Sequence, residues 1–234
     1  MQSQRVSINA KDGGQFGAYL SLPPTGTGPG ILLIQEIFGV NQHIREVADQ
    51  YASDGFVVLA PDVFWRQEPG LDIGYDDAGF QKGFGLMQNM DFPKAVEDLC
   101  IAAEALKNRA EVTGKVASLG FCMGGMLSYL VGTTPGAVDA SVCYYGGGIH
   151  TALDRAPQAK IPMLMHFAEN DGFIPMDAVA QIKSAFKSNS AVEIHTYPGV
   201  DHGFNCWGRP MYHQKTAALA RGRSLAFLSG VISS

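Results

Sequence analysis

The chain has 234 residues, of which 46% are hydrophobic and 17% charged, enough to bury one large core within the size of a single α/β domain. A net charge of −5 and the lack of any lysine/arginine cluster argue against nucleic acid as a partner. No apolar stretch reaches membrane-spanning length, and the polar start MQSQRVSINAKDGG lacks the apolar region of an export signal.

Cys100, Cys122, Cys143 and Cys206 are scattered without C-x-x-C spacing, which predicts reduced thiols and a cytoplasmic location. No repeat or low-complexity segment is present. His195, His202 and His213 lack ligand spacing with a carboxylate, so no metal and no cofactor is expected.

The elements follow in chain order. Residues 5–9 and 15–22 alternate apolar and polar around Lys11-Asp12-Gly13-Gly14, which predicts an antiparallel hairpin. The continuous apolar run Ile31–Ile34 predicts a strand buried on both faces. Residues 42–53 predict a helix, with Ile44, Val47, Ala48 and Tyr51 at helical spacing and Asp54-Gly55 as its stop. Residues 56–60 form the next buried strand.

Residues 63–91 read as an irregular excursion, because five glycines dilute any helix while Trp65, Tyr75, Phe80 and Phe84 are interleaved. Such an excursion predicts a lid or pocket wall. Residues 94–109 predict an amphipathic helix with Pro93 in its first turn. Strands follow at 116–119, 140–145, 163–167 and 192–197, and helices at 176–187 and 212–228. Strands alternating with helices predict a mostly parallel sheet covered on both faces, in one domain spanning residues 1–234.

The chemistry centres on Val116 to Leu130, VASLGFCMGGMLSYL. A short apolar strand runs into Gly120-Phe121-Cys122-Met123-Gly124, the G-x-S-x-G nucleophile elbow with cysteine in the serine place, and then into a helix. The strained turn leaves no room for a Cβ on either flank. It also puts the sulfur at a helix N-terminus, where partial positive charge favours a thiolate. The competing reading of Cys122 is a buried structural cysteine.

Cys122, Asp171 and His202 follow the order nucleophile, acid, histidine, and each lies in a loop after a predicted strand. All three should therefore meet at the carboxyl edge of the sheet. His202 would move the thiol proton, and Asp171 would fix its tautomer. Glu169 is the alternative acid, with Asp171 preferred because Gly172 follows it. The backbone N–H groups of Met123 and Ile37 are expected to form the oxyanion hole. Glu36 ends a wholly apolar strand at the same edge, where a carboxylate is costly unless paired. It could cap a helix, pair with Arg45, or exchange a proton with the thiol.

Taken together, Gln35-Glu36-Ile37-Phe38-Gly39-Val40-Asn41, Pro61-Asp62, Gly120-Phe121-Cys122-Met123-Gly124-Gly125, Tyr144-Tyr145-Gly146 and His202-Gly203-Phe204 resemble the dienelactone hydrolase family over nearly the whole chain. The resemblance implies an α/β-hydrolase fold, a Cys122-Asp171-His202 triad and hydrolysis of a cyclic enol ester. It further implies that Glu36 binds the resting thiol, and it marks Phe38, Tyr145 and Phe204 as pocket residues.

One departure stands out. The family's chlorocatechol enzymes hold the substrate carboxylate with two arginines, at positions that here correspond to Phe80 and Cys206. Lys82 and Arg209 are the substitutes within reach, and Phe84 adds a second ring to the wall. The expectation is a cysteine hydrolase of lactones or activated esters acting on a small molecule, as a monomer or small homo-oligomer. A broader esterase or thioesterase with a remodelled pocket is the second reading. A redox-reactive thiol protein on the same fold is the third.

Overall fold

The structure is a computed structural model and describes residues 2–233. Its centre is an eight-stranded sheet. The strands are β1 (Gln2–Asn9), β2 (Gln15–Leu22), β3 (Gly28–Ile34), β4 (Val57–Pro61), β5 (Val112–Phe121), β6 (Ala140–Tyr144), β7 (Met163–Ala168) and β8 (Val192–Tyr197). Their spatial order is β1-β2-β4-β3-β5-β6-β7-β8. The β1–β2 hairpin joins antiparallel at one edge, and from β4 to β8 every neighbour is parallel. The sequence accounts for this division. β2 alternates exposed and buried residues in its first half, whereas β4, β6 and β7 are buried throughout, as strands covered on both faces must be.

The described residues hold six α-helices, α1 (Gln42–Ser53), α2 (Asp77–Gln88), α3 (Phe92–Lys107), α4 (Met123–Gly132), α5 (Met176–Ala185) and α6 (Gln214–Ile232), of which α1, α3, α4 and α6 pack on the strands. Short 3₁₀ turns at Ile149–Thr151 and Leu153–Gln158 follow β6. Side-chain caps fix several starts. Asn41 accepts from the Ile44 N–H, and Asp91 accepts from the Lys94 N–H. Among the described residues no helix is long and apolar enough to cross a membrane.

The excursion over 63–91 departs from the irregular segment expected. Its second half is the regular helix α2, started by Asp76, whose carboxylate accepts from the Gly79 N–H at 2.8 Å. The glycines that argue against a helix are what seat it. A Cβ on Gly83 would stand 2.3 Å from the carbonyl oxygen of Ile37, so only glycine lets α2 approach the loop after β3 this closely.

Behind the elbow, three fully buried serines join two strands to α4. The hydroxyls of Ser118 (β5) and Ser128 (α4) lie 2.8 Å apart, and those of Ser128 and Ser141 (β6) 2.9 Å apart. Ser128 also donates to the Val142 carbonyl, which closes the chain on backbone. Each buried hydroxyl thus has partners, as burial requires.

Candidate active site

β5 ends at Phe121 and α4 begins at Met123, leaving Cys122 alone in the turn with φ 56° and ψ −119°. That is a strained conformation for a residue carrying a Cβ. The flanking glycines make it possible. A Cβ on Gly120 would stand 1.9 Å from the Gly124 carbonyl oxygen, and one on Gly124 would stand 2.3 Å from that of Ile34. The Cys122 N–H donates to Tyr144 of the neighbouring strand at 3.0 Å, and its carbonyl accepts the first helical bonds from Gly125 and Met126.

The loops after β7 and β8 bring in the other two residues. Asp171 and His202 are both buried, and His202 Nδ1 lies 2.8 Å from Asp171 Oδ2. The other oxygen, Oδ1, accepts from the Phe173 and Ile174 N–H groups at 2.8 and 3.0 Å, which fixes the carboxylate plane. Glu169 is engaged elsewhere, its Oε2 accepting from the Gly199 N–H at 2.9 Å. Burial pulls the His202 pKa down, but the charge of a Cys122 thiolate and the hydrogen bond to Asp171 outweigh it and raise it from 6.5 to about 10. The imidazole is thus set to carry a proton in the folded protein.

Cys122 and His202 open onto one cavity of about 210 Å³. Ile37, Phe38, Phe80, Phe84, Met87, Met123, Gly147, Gly148, Phe173 and Arg209 complete its lining. Met123 is the first residue of α4, where backbone N–H groups have no intrahelical acceptor. Phe173 is 55% exposed at the mouth, with its ring 5.0 Å from that of His202.

The pocket residues expected from sequence divide into two groups. Phe38, Phe80, Phe84 and Arg209 line the cavity. Lys82 does not; its Nζ pairs with Glu68 at 2.6 Å on the surface, because its position on α2 faces solvent. Tyr145 lies behind the imidazole, its ring 5.0 Å from that of His202, and Phe204 packs behind Tyr145 at 5.3 Å. Tyr145 shares the positive φ of Cys122, at 35°.

Met87, Gly147, Gly148 and Phe173 join the lining without a motif that marks them in the sequence. A helical reading of residues 77–88 would have found Met87, since Phe80, Phe84 and Met87 then share one face. Phe173 follows the Asp171-Gly172 pair directly, so its nearness to the site was implicit in the loop.

Glu36 is 1% exposed, and neither carboxylate oxygen has a hydrogen-bond partner. Burial raises its pKa, while Arg209 and His202 pull it back down. Arg209 Nη1 stands 3.7 Å from Oε1. Arg45 is not its partner, for it bonds the Val40 carbonyl and pairs with Asp72 at 2.7 Å.

The sequence profile of the dienelactone hydrolase family matches residues 16–232. A carboxymethylenebutenolidase of a Pseudomonas species (strain P51) is 36% identical over 229 residues, covering 97% of this chain and 95% of its own. A carboxymethylenebutenolidase of Pseudomonas putida is 34% identical over 230 residues, covering 98% and 97%. The crystal structure of a candidate dienelactone hydrolase from Klebsiella pneumoniae superposes with a TM-score of 0.86 at 27% identity, covering 97% of this chain and 98% of the other. Profile, relatives and superposition agree over almost the whole length, and the chain belongs to the dienelactone hydrolase family.

Proposed function

We propose that this protein hydrolyses lactones and activated esters through a thioester on Cys122. The observation that carries the reading is the meeting, at one cavity, of a cysteine on a strained elbow with a histidine bonded to a buried aspartate. In the first half-reaction the Cys122 thiolate attacks the carbonyl carbon, and the oxygen takes the negative charge. The N–H groups of Met123 and Ile37 stabilise that oxyanion. Collapse breaks the ester C–O bond, and the leaving oxygen, whether it departs with the proton or first as an enolate, takes the proton from His202 and leaves the imidazole neutral. In the second half, neutral His202 removes a proton from water, whose oxygen attacks the thioester. Collapse expels the Cys122 thiolate and leaves the carboxylic acid. Asp171 holds the imidazole in register throughout. Glu36 accepts the resting thiol proton and releases the thiolate when substrate arrives.

The lining bears on substrate choice. Aromatic and aliphatic side chains dominate it, and Arg209 is the one lysine or arginine in it, already 3.7 Å from Glu36. Burying a substrate carboxylate here means competing with Glu36 for one guanidinium, and a carboxylate left unpaired is costly. Neutral lactones and esters should therefore be turned over at least as well as dienelactone. The second reading, dienelactone itself, is supported by Arg209 and by the likeness to carboxymethylenebutenolidases over nearly the whole chain. A comparison of kcat/KM for cis-dienelactone and a neutral ester of similar size decides between them. A preference for dienelactone of about a hundredfold, roughly 2.7 kcal/mol at the transition state, would overturn the neutral-substrate reading. A burst of product on mixing with an aryl ester, with acyl mass on Cys122, tests the covalent mechanism itself. A thiol that serves only as a redox sensor would give no burst.

A further inference from the structure

Behind the cavity wall three side chains converge from distant parts of the chain. Glu36 follows β3, His43 lies in the first turn of α1, and Cys206 lies in the loop between β8 and α6. All three are buried, and one potential ligand atom from each lies within 4.8 Å of the others. Among the described residues this is the one group of three or more histidine, cysteine, aspartate or glutamate side chains so placed. Both oxygens of Glu36 and Nδ1 of His43 are buried without any hydrogen-bond partner. Oε1 has only the 3.7 Å ion pair with Arg209 and the other two have no hydrogen-bond partner, a deficit rare in a native interior that an occupant would relieve.

We propose that Glu36, His43 and Cys206 form a buried site for a divalent zinc ion. The donor set is one oxygen, one nitrogen and one sulfur, the mixture that zinc accepts and that calcium or magnesium does not. Atoms around a tetrahedral zinc with legs of about 2.0–2.3 Å stand about 3.5 Å apart. A contraction of at most about 1.3 Å from the spacing present would close the shell on three protein ligands, leaving the fourth position to water. The Trp207 ring packs edge-on against His43 at 4.1 Å and holds the imidazole in place.

Binding requires Cys206 to give its proton to solvent, and Glu36 to do the same if protonated. The resulting assembly of one Zn²⁺, one carboxylate and one thiolate is neutral, so the Arg209 guanidinium has no net charge to oppose. Arg209 both lines the active-site cavity and stands next to Glu36, so its movement opens a way in from the cavity. Zinc on Glu36 would keep that carboxylate from the thiol. This consequence, unlike the site itself, rests on the catalytic role proposed for Glu36. The three positions, 36, 43 and 206, are too far apart in sequence for any spacing rule to join them.

The test uses the Cys122→Ala protein, which removes the catalytic thiol as a competing ligand. Cobalt(II) should give a thiolate-to-cobalt charge-transfer band with tetrahedral visible bands at one equivalent per chain. Zinc should displace it. Adding Cys206→Ser should abolish the band, and either Cys206→Ser or His43→Asn should weaken zinc binding about a hundredfold or more. Thermal unfolding of each variant checks that it is folded; if one is not, the other decides. No cobalt–thiolate band, a band that survives Cys206→Ser, or zinc affinity unchanged in a folded variant would each overturn the site. None of these readouts depends on turnover, so failure of the catalytic reading would leave them intact.

Discussion

Arg209 and Glu36 meet at 3.7 Å at the back of the cavity, the first a wall residue and the second wholly buried behind it. The guanidinium is therefore shared between a fixed carboxylate and whatever enters. It also lies 5.4 Å from the Phe38 ring centre, within cation–π reach. Arg209→Met should lower kcat/KM for a carboxylate-bearing lactone by about tenfold or more relative to a neutral ester. Lys82→Met, which breaks only a surface pair, should change neither substrate nor stability measurably. Steady-state kinetics on the two substrates checks both; equal losses on both in Arg209→Met would show that its role is structural.

Cys122→Ala should abolish ester turnover while the thermal transition stays cooperative. Cys122→Ser should keep the fold and lose most of kcat, because a hydroxyl is a far weaker nucleophile at a site arranged for a thiolate. Cys143, buried in β6, should matter to stability and not to chemistry. A serine variant with a kcat near that of the wild type would mean that thiolate formation is not what this site promotes.

His202→Ala and Asp171→Asn should each lower kcat by about two to four orders of magnitude, the histidine more. Glu169→Gln should be nearly silent, since that carboxylate accepts from an exposed turn N–H and does not touch the imidazole. If the glutamate variant is crippled and the aspartate variant is active, the acid has been assigned to the wrong residue.

The proton on His202 gives a signature in stability. Burial opposes it, but Cys122 and Asp171 raise the folded pKa to about 10 from 6.5. A pKa raised on folding stabilises the protein fully below the unfolded value and loses that contribution as pH rises through the folded one. Unfolding free energy from urea titrations should therefore fall between about pH 6.5 and 10. The fall should be shallower in Cys122→Ala, where the strongest interaction favouring the proton is gone. Parallel profiles for the two proteins would show that the thiolate does not hold the proton.

Two glycines of α2 separate packing from propensity. A Cβ at Gly83 meets the Ile37 carbonyl at 2.3 Å, whereas one at Gly85 meets nothing within 4 Å. Gly83→Ala should cost about 1–3 kcal/mol and shift the loop whose N–H is assigned to the oxyanion, lowering kcat as well. Gly85→Ala should gain about 0.5–1 kcal/mol through helix propensity and leave kcat alone. Melting curves with an esterase assay distinguish the two; similar behaviour at both positions would mean that α2 is free to adjust.

Local patterns carried most of the architecture. α1 and β8 stand where their periodicity puts them, and the elbow is legible because its glycines answer a steric demand within five residues. The readings that differ depend on tertiary contact. α2 is a helix despite Gly79, Gly83 and Gly85 because close approach to Ile37 compensates their low propensity. Lys82 turns to Glu68 because helical phase points it to solvent. The gathering of Glu36, His43 and Cys206 lies beyond sequence spacing altogether, since it depends on how two loops and the first turn of α1 come together.

The serine chain behind the elbow has a consequence for how this family can drift. Replacing Ser128 alone removes the hydroxyl that faces both Ser118 and Ser141 and leaves each to donate to the Ser128 carbonyl, at 3.4 and 2.9 Å, a loss of about 0.5–1.5 kcal/mol for each hydrogen bond. Replacing all three with small apolar residues removes the need together with the partners and can be nearly neutral. Single steps are therefore penalised where the triple change is not. Relatives should carry these positions either as a hydroxyl set or as an apolar set, with mixtures selected against. The depth and roll of α4 against β5 and β6 are inherited as a unit, and with them the position of the residue at the helix's head.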